Sequence, residues 1–505
     1  MRGLTALIIS FTLITGVAPL GADDWREYRS ENIIVYSNIA QENVMEHIND
    51  IERMRPYLAR VTGLKKTRTP LPVTLYLYRS ASDFRKIIGE RQMLGVYRPL
   101  IKGGVAATVG LDPIDPRKLG GRSIVLHEYV HHYLSQLSPL NYPIWYKEGF
   151  ADVVSNINYN YGADVRIGEI LRPRAEMLND RSGWAHVNEL LNAIGPNIGS
   201  KHGWRGHDRF YSQAWLLAHM LTTDTAYLDN TNHFIELLSS GVMPANAVMQ
   251  SFNMTMSQFN KAYKNHWKSG ISLSSLDTTK VVYKAPDISI RKLGPDEERA
   301  LKWRTQLDFA ETPEKIAAIA LEIQNSLDKK ESVRLRVLYG EALLEFARPD
   351  LAGQQIKIAH DLAPNDINVQ FMAAKIKLDI AIRRYTGLGP DAVSQEDYNE
   401  IQTYLDSVIA AHPNNAEVNY QVGILHFLNP EGDLAGQGLM ALKHATALVP
   451  QNYEVRLLLA QSQAKLKQYE VACTNAQQVL RYGKSENLRN GALKVIEGPS
   501  MTCAA

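Results

Sequence analysis

The chain has 505 residues, of which 45% are hydrophobic and 21% charged, and its formal net charge is +2. This composition is typical of a soluble globular protein, and a near-neutral charge without a block of lysine or arginine excludes nucleic acid as an implied partner. The length exceeds that of one ordinary hydrophobic core and predicts two or three domains.

Residues 1–22 predict a secretory signal peptide. They combine an early arginine with an apolar stretch from Leu4 to Val17 and small residues near Ala22, just before an acidic segment. Cleavage after Ala22 would give a periplasmic or secreted protein. The alternative is a membrane anchor formed by residues 4–22, because an uncleaved stretch of this kind is near the length of a membrane span.

The chain then alternates between strand and helix patterns. Runs of β-branched and aromatic residues predict three strands, at 32–38, 71–80 and 103–111. Helical periodicity predicts helices at 40–62 and 80–88, the second capped by Ser80 or Ser82.

The segment SIVLHEYVHHYL, residues 123–134, predicts a metal-binding helix. Residues four apart share one helix face, so His127 and His131 could offer two imidazoles to one zinc ion. Glu128 would sit beside the ion and act as general base for a zinc-activated water. His132 points elsewhere. The alternative is a helix that is rich in histidine by chance.

A second helix is predicted after Pro143, in the segment PIWYKEGFADVV. Catalytic zinc usually takes three protein ligands, and Glu148 is the candidate for the third. Asp152 lies four residues on, on the same face, and could accept a hydrogen bond from the second ring nitrogen of a ligand histidine. The alternative for Glu148 is a solvated helix carboxylate.

HExxH followed by WYKEGFA resembles the gluzincin metallopeptidases, and in particular the bacterial peptidase MA-like group. The resemblance covers roughly residues 25–270, and its specific part is confined to 123–152 and a weaker helix at 210–221. It implies one Zn²⁺ per chain, an α+β zincin-like catalytic domain with a mixed sheet and active-site helices over 23–270, and an activity on peptides or proteins. The implied zinc ligands are His127, His131 and Glu148, and the implied catalytic base is Glu128.

Two details refine this expectation. The chain has no G-x-M-E-N segment, so the resemblance disfavours an aminopeptidase and favours an endopeptidase. In the zincin pattern an edge strand lies along the cleft and pairs with an extended substrate. The candidate for that strand is 103–111, and the alternative is an ordinary interior strand.

The helix FYSQAWLLAHML, residues 210–221, offers Tyr211 to stabilise the oxyanion of the reaction, with His207 behind it. The alternative is that Tyr211, Trp215 and His219 form a packing face. His202 falls in a polar loop and is expected to be only a loop residue.

Residues 271–300 lose periodicity and predict a linker, and 301–505 predict an all-α tetratricopeptide-like repeat domain. A pattern of a proline, polar capping residues and the start of a new helix recurs at 363–369, 412–418 and 449–455. The repeats are expected to carry insertions at 383–397 and 428–438. Such arrays bind peptides or proteins. The alternative is that this region only caps the catalytic domain. Cys473 and Cys503 could pair in an oxidising compartment.

Three functions remain open at this point. The first is a secreted or periplasmic zinc peptidase whose repeats recruit substrate or a partner protein. The second is a catalytically inactive scaffold whose repeats bind partners. A complete set of ligands and base favours the first, because a decayed enzyme commonly loses one of them. The third is a metal hydrolase that acts on another carbonyl.

Overall fold

The computed structural model describes residues 24–64, 69–89, 94–111, 120–161, 164–180, 184–196, 204–271, 274–277, 283, 285–388, 393–429, 435–483, 485–498 and 503. The predicted signal peptide, residues 1–22, lies outside this set. Among the helices described, none is sufficiently long and apolar to cross a membrane.

The strands are β1 (Arg26–Arg29), β2 (Ile33–Ser37), β3 (Val73–Tyr78), β4 (Gly95–Leu100), β5 (Gly103–Val109), β6 (Asn158–Tyr161), β7 (Asp164–Ile167), β8 (Ser274–Asp277) and β9 (Ser289–Lys292). The helices of the first part are α1 (Gln41–Thr62), α2 (Ala81–Ile88), α3 (Gly121–Leu137), α4 (Ile144–Ser155), α5 (Arg172–Asn179), α6 (Val187–Leu191), α7 (Trp204–Thr223), α8 (Thr225–Ser239), α9 (Pro244–Phe252) and α10 (Met256–Lys268).

The helices that follow are α11 (Pro295–Asp308), α12 (Pro313–Leu327), α13 (Val333–Glu345), α14 (Pro349–Leu362), α15 (Ile367–Leu388), α16 (Gln395–Ala411), α17 (Ala416–Leu428), α18 (Ala435–Leu448), α19 (Tyr453–Lys465), α20 (Tyr469–Tyr482) and α21 (Glu486–Ile496).

Six strands form a mixed sheet in the order β4-β5-β3-β2-β1-β9. β2, β3 and β5 run parallel, whereas β4, β1 and β9 are antiparallel to their neighbours. Because side chains alternate along a strand, the sheet has two apolar faces. Val73, Leu75 and Leu77 belong to the main core with α1 and α3, which we call the inner face. Tyr76 and Tyr78 pack with α2 and α11 on the outer face.

Most predicted elements of the first part are confirmed. The three strands and two helices occur within a few residues of their expected bounds, and Ser80 caps α2 by accepting from the Asp83 amide at 3.1 Å. The expectation that 103–111 is an edge strand is wrong. β5 lies between β4 and β3, so the interior alternative is the correct one, and β4 is the edge.

The second part is a helical repeat region in which successive helices pack on one another from α11 to α21. The helices that begin at Val333 and Ile367 start one tetratricopeptide unit apart. The spacing between the starts of the corresponding later helices is longer. Ala347 and Lys467 each lie in the turn between two paired helices, and both adopt a positive φ of 57°. The segments 389–392 and 430–434, within the predicted insertions, lie outside the described residues.

The segment 271–300 differs from the linker expected there. β9 extends the main sheet by pairing with β1, β8 joins the three-stranded sheet β6-β7-β8, and α11 begins at Pro295. Leu293, Leu301 and Phe309 pack against the outer face of the sheet. The domain boundaries themselves stay predictions. Near the C-terminus, Cys473 and Cys503 form a disulfide.

Candidate metal centre

The two helices with the candidate ligands pack directly on each other. α3 is buried on nearly every side, with Val125, Leu126 and Val130 in the core, so it forms an interior helix behind the sheet. α4 begins immediately after Pro143, as expected. Gly149 lets α4 approach α7, because a Cβ at this position would overlap the Ala214 carbonyl. In WYKEGFA, the candidate ligand Glu148 is therefore followed directly by Gly149, the residue at the close contact between α4 and α7.

The three predicted ligands converge at one point. The Nε2 atoms of His127 and His131 lie 3.2 Å apart, and Oε2 of Glu148 lies 3.3 Å from the first and 3.6 Å from the second. Among the described residues, this trio is the one group of histidine, cysteine and carboxylate side chains that could hold a metal ion. The three side chains are 13–16% exposed, so the group is open to solvent on one side.

Asp152 occupies the position expected of an outer partner. Its Oδ1 lies 2.9 Å from Nδ1 of His127, which leaves Nε2 of that ring free for a metal. Its Oδ2 accepts from Nε of Arg174 at 2.7 Å. Arg174 was missed by sequence reasoning, because the segment RPRAEMLN carries no motif and contacts Asp152 only through the fold.

Glu128 is buried and lies against the edge strand. A Cβ at Gly95 would overlap the Glu128 carboxylate and Ile124, so β4 passes directly over this residue. Glu128 is 6% exposed, and burial raises its pKa above the usual range. The charges of both ligand histidines and of Glu148 act on it. Glu128, the candidate base, therefore lies beside the three candidate ligands and is not one of them.

The electrostatics of the ligands reflect their mutual contact. Burial lowers the pKa of His127, but hydrogen bonds with Asp152 and Glu148 outweigh it and hold the pKa well above the usual range. For Glu148 and Asp152, burial raises the pKa. The histidines outweigh this at Glu148, and Arg174 and His127 do so at Asp152, so both pKa values are lowered. The carboxylates are therefore ionised, as metal binding requires.

Tyr211 lies near the site, where the charges of Glu148 and Asp152 act on it. Its ring stacks under the Arg174 guanidinium, with the ring centroid 4.8 Å from the guanidinium carbon, and burial raises its pKa well above the usual range. The His207 ring is 4.8 Å from that of Tyr211. His219 instead packs internally, with Nδ1 2.9 Å from Nε2 of His266. His202 lies outside the described residues.

His132 points away from the ligands. It is fully buried, and its Nε2 lies 3.2 Å from the Leu71 carbonyl. Tyr97 of β4 reaches across from the edge strand, with its hydroxyl 2.5 Å from Oγ of Ser135 and 3.5 Å from Nδ1 of His132. Sequence reasoning missed β4, since GVYRPL contains glycine and proline and lacks a clear alternation.

No protein-family model matches the chain, and no curated protein matches it. Among solved structures, it is similar to a thermophilic TPR protein from Thermus thermophilus, with 16% identity and a TM-score of 0.31 over 40% of this chain and 98% of that one. It is also similar to MamA 41-end from Desulfovibrio magneticus RS-1, with 15% identity and a TM-score of 0.29 over 38% of this chain and 98% of that one.

A third similar structure is the MamA RS-1 ArsTM double mutant, with 15% identity and a TM-score of 0.28 over 37% of this chain and 95% of that one. The helical repeat region is shown by the chain's own helices, and these three matches, with TM-scores below 0.5, add no argument to it. They carry no statement about activity, so the gluzincin resemblance stays a prediction.

Proposed function

We propose that this chain is a zinc-dependent peptidase in which His127, His131 and Glu148 hold the metal and Glu128 is the general base. The observation that carries the proposal is the convergence of two imidazole nitrogens and one carboxylate oxygen beside a buried glutamate. The proposal includes a helical repeat region that binds a substrate or partner protein.

The donor set fits zinc in both chemistry and dimensions. Zinc prefers imidazole and carboxylate ligands at about 2.0–2.2 Å in tetrahedral geometry, which places two ligand atoms roughly 3.3 Å apart. The observed separations of 3.2, 3.3 and 3.6 Å match that edge length. Three protein ligands, and not four, are the number that a catalytic site uses.

The residues of the chain divide the chemistry between them. A bound zinc ion supplies a Lewis acid that polarises a carbonyl and makes water nucleophilic at neutral pH. Glu128 takes the proton of the attacking water and delivers it to the leaving amine. Tyr211 keeps its phenolic proton, because burial raises its pKa, and so could donate a hydrogen bond to the developing oxyanion.

The edge strand supports a polypeptide substrate. Among the described strands, β4 pairs only with β5, so its other edge has main-chain groups that an extended peptide could pair with. Gly95 places this edge directly beside Glu128. A peptide paired there would pass the base, and pairing through the main chain favours an endopeptidase with little sequence selectivity.

The repeat region supports a second, binding role. A cavity of about 450 Å³ lies between the outer face of the sheet and the repeats, and its lining includes Tyr76, Lys102, Arg304, Glu341 and Lys375. It is separate from the metal centre, which lies on the inner face. We propose that a segment of a substrate or partner protein binds in it. A periplasmic or secreted location fits the predicted signal peptide and the Cys473–Cys503 disulfide.

The experiment that tests this function separates metal binding from turnover. Zinc content is measured for the wild type, His131→Ala and Glu128→Gln, and each protein is assayed against a peptide library. We expect one zinc per chain in the wild type and in Glu128→Gln, with turnover lost in the latter, and zinc lost in His131→Ala.

Two outcomes would contradict the proposal in different ways. Stoichiometric zinc in His131→Ala would remove that residue from the ligand set. Stoichiometric zinc in the wild type without cleavage of any peptide would instead support the alternatives, an inactive scaffold or a hydrolase that acts on a different carbonyl. His207→Ala is the matched control, because this half-exposed histidine contacts Tyr211 and is not a member of the ligand trio.

A further inference from the structure

Arg174 connects two predicted site residues that lie on different helices. It is 8% exposed, and its Nε donates to Oδ2 of Asp152 at 2.7 Å while the other carboxylate oxygen faces His127. Both oxygens of Asp152 are therefore engaged, one by α3 and one by α5. A carboxylate held at both oxygens cannot rotate, so Asp152 holds the His127 ring in one orientation.

The same guanidinium also lies over the Tyr211 ring, with the guanidinium carbon 4.8 Å from the ring centroid. A guanidinium is planar and can hydrogen-bond to one group while it contacts an aromatic ring, whereas an ammonium is a point charge. Arg174 thus contacts both Asp152 and Tyr211. The position of the phenol is in this way set by the group that orients His127.

We infer that Arg174 is a positioning residue that fixes the Asp152–His127 pair and Tyr211 relative to each other; this inference rests on the proposed zinc site. It acts through Asp152 and touches neither metal nor substrate.

The sign of one measurement separates positioning from a charge effect. If Arg174 acted only through its charge, its removal would tighten zinc binding, because a nearby cation opposes a second cation. If Arg174 orients Asp152, its removal weakens zinc binding by roughly 10-fold, within the range for lost outer partners. Arg174→Lys keeps the charge but loses the planar contact, so only positioning predicts weaker binding for both variants.

The test measures zinc affinity by chelator competition for Arg174→Met and Arg174→Lys, after circular dichroism shows that each is folded. Arg172→Met is the control, because this side chain on the same helix is 63% exposed and pairs with Glu176. We expect about 10-fold weaker zinc binding for Arg174→Met, a smaller loss for Arg174→Lys and no change for Arg172→Met. If Arg174→Met does not fold, the Arg174→Lys result decides.

A double variant shows whether the effect passes through Asp152. Asp152→Asn combined with Arg174→Met should bind zinc no more weakly than Asp152→Asn alone, since both changes break one chain of contacts. Unchanged or tighter zinc binding in Arg174→Met and Arg174→Lys, or losses that add in the double variant, would overturn the inference. A wild type that binds no zinc would instead overturn the proposed function.

Discussion

Two groups of buried charge lie on opposite faces of the same sheet, and they are built differently. On the inner face, the ligand atoms of His127, His131 and Glu148 face one another within 3.6 Å. On the outer face lies a charge network of Lys102, Arg304, Asp308 and Glu341. Arg304 binds Glu341 through two hydrogen bonds of 2.5 and 2.9 Å and reaches Asp308 at 2.9 Å.

The difference is one of completeness. In the charge network each acid meets a base, and Asp308 also contacts Lys102 and accepts from the Tyr76 hydroxyl at 3.0 Å. In the candidate metal centre, Nε2 of both imidazoles and one oxygen of Glu148 point at one another, an arrangement that suits three ligands of a single cation. Buried polar groups need partners, and the members of the charge network supply one another's, whereas the zinc ion we propose would be a further partner for His127, His131 and Glu148. The network joins the repeats to the sheet.

The largest expected effect comes from breaking the charge network. Arg304→Met removes both hydrogen bonds to Glu341 and one to Asp308 in a largely buried setting, and removing one partner of a buried pair costs about 3 kcal/mol. We expect the free energy of unfolding in urea to fall by about that amount. Zinc affinity of the folded protein should stay within about twofold, because the network lies across the sheet from the ligands.

Arg334→Met is the matched control for Arg304. Its side chain is 53% exposed and pairs with Glu297 at 3.4 Å, so its loss should cost under about 0.5 kcal/mol. A loss of zinc affinity in folded Arg304→Met would show that the two charge groups are coupled, and the separation drawn between them would then be wrong.

The second effect concerns the metal centre alone. Gly95→Ala places a methyl group where the Glu128 carboxylate lies, so the base must move while the ligands stay in place. We expect turnover to fall roughly 100-fold, the scale of a lost general base, with zinc content unchanged. Full turnover in Gly95→Ala would show that Glu128 is not needed in its observed position. Gly436→Ala is the control, since a Cβ there meets nothing within 4 Å.

The sequence was sufficient wherever a feature depends on local periodicity. The helices with His127 and Glu148, and the placement of Asp152 on the same helix face as Glu148, were predicted because spacing along a helix fixes which side chains share a face. The start of α4 followed from Pro143.

The sequence was insufficient wherever contacts join distant segments. Arg174 meets Asp152 only after α5 and α4 both pack on α7, and Gly95 is important only because β4 crosses Glu128. Ser289–Lys292 forms a strand because the sheet offers the free edge of β1, although its own residues are exposed and mostly polar. These pairings depend on tertiary contacts that no local pattern carries.

The smallest effect tests whether the repeats reach the metal centre through a second contact. The Gln451 side chain donates to the carbonyls of Leu134 and Leu140, at 3.2 and 2.8 Å, and so holds the end of α3 and the loop that leads to α4. Since this loop joins the two ligand helices, its position helps to set their spacing. Gln451→Ala removes two hydrogen bonds, and we expect a loss of about 1–2 kcal/mol in unfolding free energy.

Zinc affinity decides what this contact means. If the repeats help to space α3 and α4, zinc binding in Gln451→Ala should weaken by a few fold, about as much as a small shift between ligand helices would cause. The control is Gln395→Ala, whose exposed side chain bonds only to Asn399 one turn away in α16. Unchanged zinc affinity together with the loss of stability would mean that the repeats stabilise the first part of the chain without adjusting its metal centre. The candidate metal centre would then be independent of the repeats.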